Sequence, residues 1–397
     1  MPQTAADGAA LVRAGISSGT YQVLRSLGRR GIDTICASED DDVPEFASKY
    51  CGERALVPDP TEDLSAYRDA IFELAARDDV ATVIPCREVD AYLLSKHRST
   101  LEDDVSLVVP TLSGLRDVHD RKRLFEAAEA AGVPIPETQL LTPDAEWDSP
   151  RLIKSRYNLL TDEYSAAHAS LTPVEIDRID HLAPYESPDY DEVRTAMRHI
   201  PIVQEFVPNG GKYMFAALYD HGEPLSTFQH RQIRGNSYTG GGGVYRRSVY
   251  VDALESVARD LLGHLEWHGL ACIEYIRDAQ TGEFKLLEIN PRIWQSLPST
   301  VRAGADFPHH YWLAALGRGD RIDPTYDLGV GTHMLYGEVK YLLSLRRDDS
   351  PNVERPSLSG ELGSVVGSCL SEPRFDFLSL DDPRPFLQGL RKFLAAE

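Results

Sequence analysis

The sequence predicts an α/β protein whose second part is rich in β-strands, and three observations carry that expectation. Short apolar runs alternate with helix-period segments over roughly the first 115 residues; the texture breaks at Asp120 into a charged helix and a proline-bearing extended stretch; and two hairpin patterns follow Ile202. Strands alternating with helices mark a parallel sheet with helices on its faces. At 397 residues the chain suggests two or three packed units.

Taken in order, Ala9 to Val12 is an apolar run that ends at Gly15. Tyr21 to Arg30 has Val23, Leu24 and Leu27 on one side of a helix, with Gly31 where a C-cap belongs. The cycle repeats: a strand over Ile32 to Ala37, a helix over Leu64 to Ala76, a strand over Val80 to Pro85, a helix including Ala91 to His97, and a strand over Val105 to Val109 that stops at Pro110. The loop Gly15-Ile16-Ser17-Ser18-Gly19 lacks the G-x-G-x-x-G spacing and reads as a tight turn of small residues, a phosphate role being the alternative. Glu39-Asp40-Asp41-Asp42 reads as a solvated loop. Asp120 is placed to cap a helix that stops at Gly132, with Pro134 and Pro136 beyond. Residues 172–199 have weak periodicity, and no catalytic group is expected there. Hairpins are expected over Tyr213–Tyr219 with Leu225–Ile233, and over Ala271–Arg277 with Phe284–Asn290. The last ~75 residues carry no strong motif.

Composition excludes several classes of partner. Lys and Arg number 41 against 62 Asp and Glu, a net charge of −21, which repels nucleic-acid phosphates and anionic membranes. Only eight of the 41 basic residues are Lys, and this Lys-poor, acid-rich balance suggests a halophilic protein from a high-salt cytoplasm. Five scattered Cys without C-x-x-C spacing indicate neither a disulfide framework nor a zinc site. The N-terminal residues do not read as a signal peptide, and no run approaches the ~20 apolar residues of a membrane helix, so a cytoplasmic protein is expected.

The most informative segment runs from Gly269 through Glu274 to Arg277 and returns from Phe284 through Glu288 and Asn290 to Arg292. Strand alternation puts Glu288 and Asn290 on the face of Phe284 and Leu286. A loop at Gln280-Thr281-Gly282 sets Glu274 opposite Glu288 and Cys272 opposite Asn290, within the offset that a bulge adds. Facing carboxylates repel unless a divalent cation lies between them. Mg²⁺ suits such a pair, since it takes one or two carboxylates and completes its shell with substrate phosphates.

These residues resemble the metal-binding signature of the ATP-grasp superfamily, particularly its carbamoyl-phosphate-synthase-like and biotin-carboxylase-like carboxylate–amine ligases. Asp120-Arg-Lys122 and Gly132-Val-Pro134 are similar to the opening of the grasp domain, and Leu152-Ile-Lys154 to its phosphate-lysine strand. Val203-Gln204-Glu205-Phe206-Val207 resembles its adenine-binding hinge. The resemblance spans roughly residues 8 to 318 and implies a Rossmann-like pre-ATP-grasp domain over 1–118 and a two-lobed α+β ATP-grasp domain over 119–318. Its lid lobe would lie at about 135–207, and 319–397 would form a C-terminal extension of unknown role.

The resemblance also implies site roles. Lys122 and Lys154 would meet ATP phosphates, and Gln204, Glu205, Phe206 and Val207 would hold adenine and ribose. Glu274, Glu288 and Asn290 would bind Mg²⁺ or Mn²⁺. Arg292 would hold the reacting acid, with Trp294 as packing or a substrate wall, and Arg231 and Arg234 would meet the transferred phosphoryl group. Lys154 is followed by no glycine before Glu163, unlike many members, and Gly240–Gly243 is the remaining candidate for a phosphate loop. The implied function is an ATP-dependent ligase joining a small-molecule carboxylate to an amine through an acyl phosphate. A phosphotransferase and a nucleotide sensor are the alternatives. A homodimer is compatible with the resemblance.

Overall fold

In a computed structural model, residues 7–15, 18–165, 174–176, 178–350 and 353–396 are described. The first sheet is parallel, in the order β3-β2-β1-β4, with β1 at Ala9–Arg13, β2 at Thr34–Ser38, β3 at Glu53–Leu56 and β4 at Val80–Ile84. Strands β1 and β2 are buried throughout, as expected when helices cover both faces. The sequence missed β3 because three of its four residues are exposed, so no apolar run marks it. The expected strand Val105–Val109 does not form; it meets the sheet through one parallel bridge, Thr82 to Ser106.

A second sheet of four antiparallel strands follows, in the order β5-β8-β6-β7: β5 is Thr138–Leu140, β6 Arg151–Lys154, β7 Ile179–Leu182 and β8 Ile202–Glu205. Its one covered face packs on the helix Tyr190–Met197 through a core of seven buried residues, among them Trp147, Ile153, Met197 and Val203.

The third sheet has six antiparallel strands, in the order β13-β12-β9-β10-β11-β14. Here β9 is Asn209–Asp220, β10 Glu223–Ser237, β11 Gly240–Val249, β12 Gly269–Asp278, β13 Phe284–Asn290 and β14 Gly331–His333. Both its faces are buried. Tyr213, Phe215, Ala217 and Tyr219 of β9 enter one core and Met214, Ala216 and Leu218 the other. Leu11 and Ile35 of the parallel sheet share the first core, Ala10, Val12 and Cys36 the second, so these two sheets pack as one body.

The final segment is woven into this body. β14 pairs with β11, and the helix Leu335–Arg347 lies against β10. The helix Arg384–Ala396 crosses to the first unit, where Arg391 and Lys392 pair with Asp42 and Asp40 at 2.6 and 2.5 Å. Two ion pairs beneath it are buried, Arg246–Asp376 at 2.9 Å and Arg234–Glu338 at 2.8 Å. All five cysteines are free.

Candidate functional site

The four-stranded sheet faces the six-stranded one across a cleft of about 1020 Å³. The hairpin β12–β13 supplies its acidic floor, in the expected register: Glu274 opposes Glu288 and Cys272 opposes Asn290. The expected division of faces does not hold. Tyr275 pairs with Leu286 while Glu274 pairs with Glu288, so Leu287 is an extra residue, a β-bulge. Phe284, Leu286 and Ile289 go to the core, whereas Leu287 and Glu288 both line the cleft. Strict alternation would have buried Glu288 beside Leu286; the bulge re-aims it.

The two carboxylates are held differently. Glu288 accepts from Arg121 at 2.6 Å and from the Asn290 side chain at 3.1 Å. Burial opposes its ionisation, but Arg121 outweighs burial and brings the carboxyl down to about 2. Glu274 opens on the cleft and has no such partner among the described residues; the surrounding protein first, and repulsion from Glu288 second, push it up to about 7.

Cations converge on this floor from both sheets. Lys154, at the end of β6, lines the cleft with no hydrogen-bonding or ionic partner among the described residues. Burial first, then the Arg121 charge, pushes its ammonium down to about 8. Lys212 of β9 and Arg231 of β10 line the same cleft, Arg231 with its guanidinium 5.9 Å from the Tyr213 ring centre.

Lys122 is not among them. Its ammonium pairs with Glu126 one turn along the exposed face of the helix Arg121–Ala130. With Asp120 as N-cap, the first helical residue, Arg121, turns back to the Ser155 carbonyl at 2.8 Å and to Glu288. Arg121 is therefore the basic residue that the sequence reading missed, and the i,i+4 spacing of Lys122 and Glu126 was the signal that Lys122 belongs to solvent.

Arg234 also lines the cleft, but it is buried and bound to Glu338 and to the Ser364 hydroxyl at 2.9 Å. Gly240–Gly243 is not a separate loop but the start of β11, paired with β10. Gly240 and Gly241 have φ of 150° and 81°, and a Cβ on Gly241 would strike the Asn236 side-chain oxygen. Of the turn Gly15–Gly19, Ile16 and Ser17 lie outside the described residues. Gly19 lies in the helix Ser18–Arg29, so close to the Trp294 carbonyl that no side chain fits.

The hinge strand β8 brings Glu205, Phe206 and Val207 to the cleft wall. Gln204 also lines the cleft and donates its amide to the Thr138 hydroxyl at 3.0 Å, and Glu205 is paired with Lys285 at 2.5 Å. Ile176, Ile179 and His181 complete the apolar side, from the stretch where nothing functional was expected. Tyr341, Glu354 and Pro356 reach the cleft from the final segment.

Beside the carboxylate pair lies a smaller cavity of about 190 Å³, lined by Cys272, Asn290, Arg292, Trp294 and Ser296. Arg292 is anchored by Glu88 at 2.8 Å, and Glu88 by His119 at 2.9 Å. Burial alone would raise the Glu88 carboxyl; Arg292 and His119 hold it below the usual carboxylate range.

No family model matches the sequence, and no curated protein does. Solved structures match the fold. An ADP complex of N5-carboxyaminoimidazole ribonucleotide synthetase aligns at a TM-score of 0.60 and 16% identity, covering 82% of this chain and 80% of that one. L-amino acid ligase from Bacillus licheniformis aligns at 0.58 and 14%, covering 80% and 78%. Pyruvate carboxylase from Rhizobium etli aligns at 0.58 and 17% over 80% of this chain, which spans only 28% of that much longer one. The chain has the ATP-grasp fold. It is the fold shared by these carboxylases, synthetases and amino acid ligases, and at such identities the likeness is one of architecture.

Proposed function

We propose that the chain is an ADP-forming ATP-grasp ligase that joins a small carboxylate to an amine or similar nucleophile through an acyl phosphate. The observation that carries this reading is the Glu274–Glu288 pair, set between a cation-lined nucleotide-sized cleft and a cavity that presents Arg292. On the same fold, biotin carboxylase of a Hydrogenobacter thermophilus enzyme was crystallised as a dimer with MgADP and bicarbonate.

ATP fits the large cleft by chemistry. Phe206, Val207, Ile179 and Leu287 offer apolar walls to a purine, and the hinge backbone offers hydrogen-bonding groups. Lys154, Lys212 and Arg231 put three positive charges where a triphosphate would extend. A hard cation fits the floor: two facing carboxylates and an amide oxygen are the donor set for Mg²⁺ or Mn²⁺, and the elevated Glu274 marks negative charge awaiting a counter-ion. Glu274, Glu288 and Asn290 would hold that ion, which supplies charge neutralisation on the phosphates. Arg292, oriented by Glu88 and His119, holds the acid carboxylate in the small cavity. Attack of that carboxylate on the γ-phosphorus releases ADP, and the amine then displaces phosphate. The protein contributes position and fixed charge, with no covalent nucleophile of its own. The composition supports a cytoplasm of high salt as the setting.

The test supplies hydroxylamine with ATP, Mg²⁺ and a panel of amino acids, peptides and small carboxylates. An acyl phosphate yields a hydroxamate with one ADP and one phosphate per turn. ADP without phosphate, together with a stable phosphate ester, would replace the ligase by a phosphotransferase, and ATP binding without ADP release would make the chain a sensor.

A further inference from the structure

At the end of the six-stranded sheet remote from the cleft, three potential metal ligands meet. Asp220 closes β9, His221 follows it in the turn to β10, and His268 precedes β12. Asp220 lies eight residues along β9 from Lys212, roughly 26 Å at the ordinary strand rise.

The Asp220 Oδ1 atom is 2.7 Å from His221 Nδ1 and 3.3 Å from His268 Nδ1. In a tetrahedral zinc site with ~2.05 Å bonds, adjacent ligand atoms stand roughly 3.3 Å apart. The ligand atoms of all three side chains fall within 4.8 Å of one another. The two imidazoles stack at 4.2 Å, with 29° between their planes, and both turn Nδ1 to the same carboxylate.

His268 is set for ligation by what lies behind it. Its side chain is only 14% exposed, yet Nδ1 has no hydrogen-bond partner. The Leu107 carbonyl lies close to the ring. Arg98, the cation acting on it from another element, is bound to the Val109 carbonyl and to Glu102.

The backbone is equally prepared. His221 adopts φ of 47°, a left-handed conformation uncommon for a residue with a side chain, and this carries its ring over His268. Gly222 donates its N–H to the Trp267 carbonyl at 2.7 Å, and Gly269 pairs with Tyr219, so both halves of the cluster stand on one rigid edge.

We propose that Asp220, His221 and His268 form a binding site for a divalent transition cation, Zn²⁺ foremost, that clamps the β9–β10 turn to the start of β12. Two imidazoles and one carboxylate leave a fourth position for water, a donor set that favours Zn²⁺ over Mg²⁺. The site is independent of the nucleotide cleft and does not rest on the reaction proposed above.

The experiment titrates the full chain with Zn²⁺ by calorimetry, and with Co²⁺ by visible absorption. One equivalent of Zn²⁺ is expected to bind in the presence of millimolar Mg²⁺, and Co²⁺ to show the intense bands of tetrahedral coordination. His221→Ala and His268→Gln should each weaken Zn²⁺ at least about 100-fold, the upper end of what outer-shell partners alone cost. Glu288→Gln should leave it unchanged. His221 is exposed in a turn, so its variant decides the matter even if His268→Gln fails to fold. Undiminished binding in His221→Ala, or none in the unaltered chain at ~100 μM Zn²⁺, would overturn the proposal. So would binding lost in Cys369→Ser, which would assign the metal to the buried His333 and Glu338 with the half-buried Cys369.

Discussion

The two walls of the cleft are built on different scales. The six-stranded sheet has a large core on each face and buried ion pairs at its surface; the four-stranded sheet has a small core of seven residues of its own and reaches the large one only through Ile202 and Leu140. The acidic pair stands on the first wall and Lys154 on the second. The walls touch through Arg121, which reaches Ser155 on one and Glu288 on the other, and through Lys285 with Glu205. The contrast teaches that the two carboxylates are fixed by the bulk of the molecule, while Lys154 stands on the wall with the smaller core. Small cores open at lower free energy than large ones.

The strongest way to break this contrast is to damage the larger wall. Arg246→Met strands the Asp376 carboxylate, which is 1% exposed, and should cost about 3–5 kcal/mol of global stability in urea unfolding. An unchanged midpoint would mean that this wall does not depend on its buried charges.

Next comes Trp147→Ala in the small core, expected to cost about 3 kcal/mol. Hydrogen exchange should quicken in β5 to β8 and stay slow in β9 to β13. Uniform quickening would merge the two walls into a single cooperative unit.

Glu288→Gln tests the proposed ligand. It should lower ATP turnover at least about 100-fold, roughly 2.7 kcal/mol, with no loss of melting temperature. A fall in melting temperature would show that Glu288 serves folding through Arg121 instead.

The smallest effect is a pH dependence confined to the lesser wall. His199 accepts from the Arg156 N–H at 3.0 Å and is therefore neutral, with burial pushing it down to about 4 from the usual 6.5. The unfolded chain takes up a proton on His199 at higher pH than the folded one, so its contribution is full above pH 6.5 and is lost as pH falls toward 4. Local stability should drop by up to roughly 2 kcal/mol between pH 6.5 and 5. His199→Gln should flatten that slope in hydrogen exchange of β6, and an unchanged slope would remove His199 as its source.

What could be read from sequence follows the same contrast. Register in β12 and β13 was legible because one turn and two apolar strands allow few pairings, and the carboxylate pair came with it. The cation set was legible only in part. Arg121 and Lys122 are neighbours, and only the cap geometry at Asp120 decides which of them turns inward. The pairing of Arg234 with Glu338 was not legible because the two lie 104 residues apart, beyond any local pattern. Ile179 and His181 were missed because a short strand with one small core has weak periodicity.

The bulge at Leu287 separates two kinds of change that one strand would otherwise confound. Exchanging one apolar residue for another at Phe284 or Leu286 alters packing and leaves the frame of Glu288 alone. Losing a single codon at Leu287 would remove the extra residue and leave Glu288 on the cleft side by plain alternation, whereas straightening the strand with Leu287 in place would turn the carboxylate into hydrocarbon. For anyone transplanting the motif into a new scaffold, the transferable unit is therefore Leu286 to Asn290 with its irregular backbone, and not the string Glu-Ile-Asn.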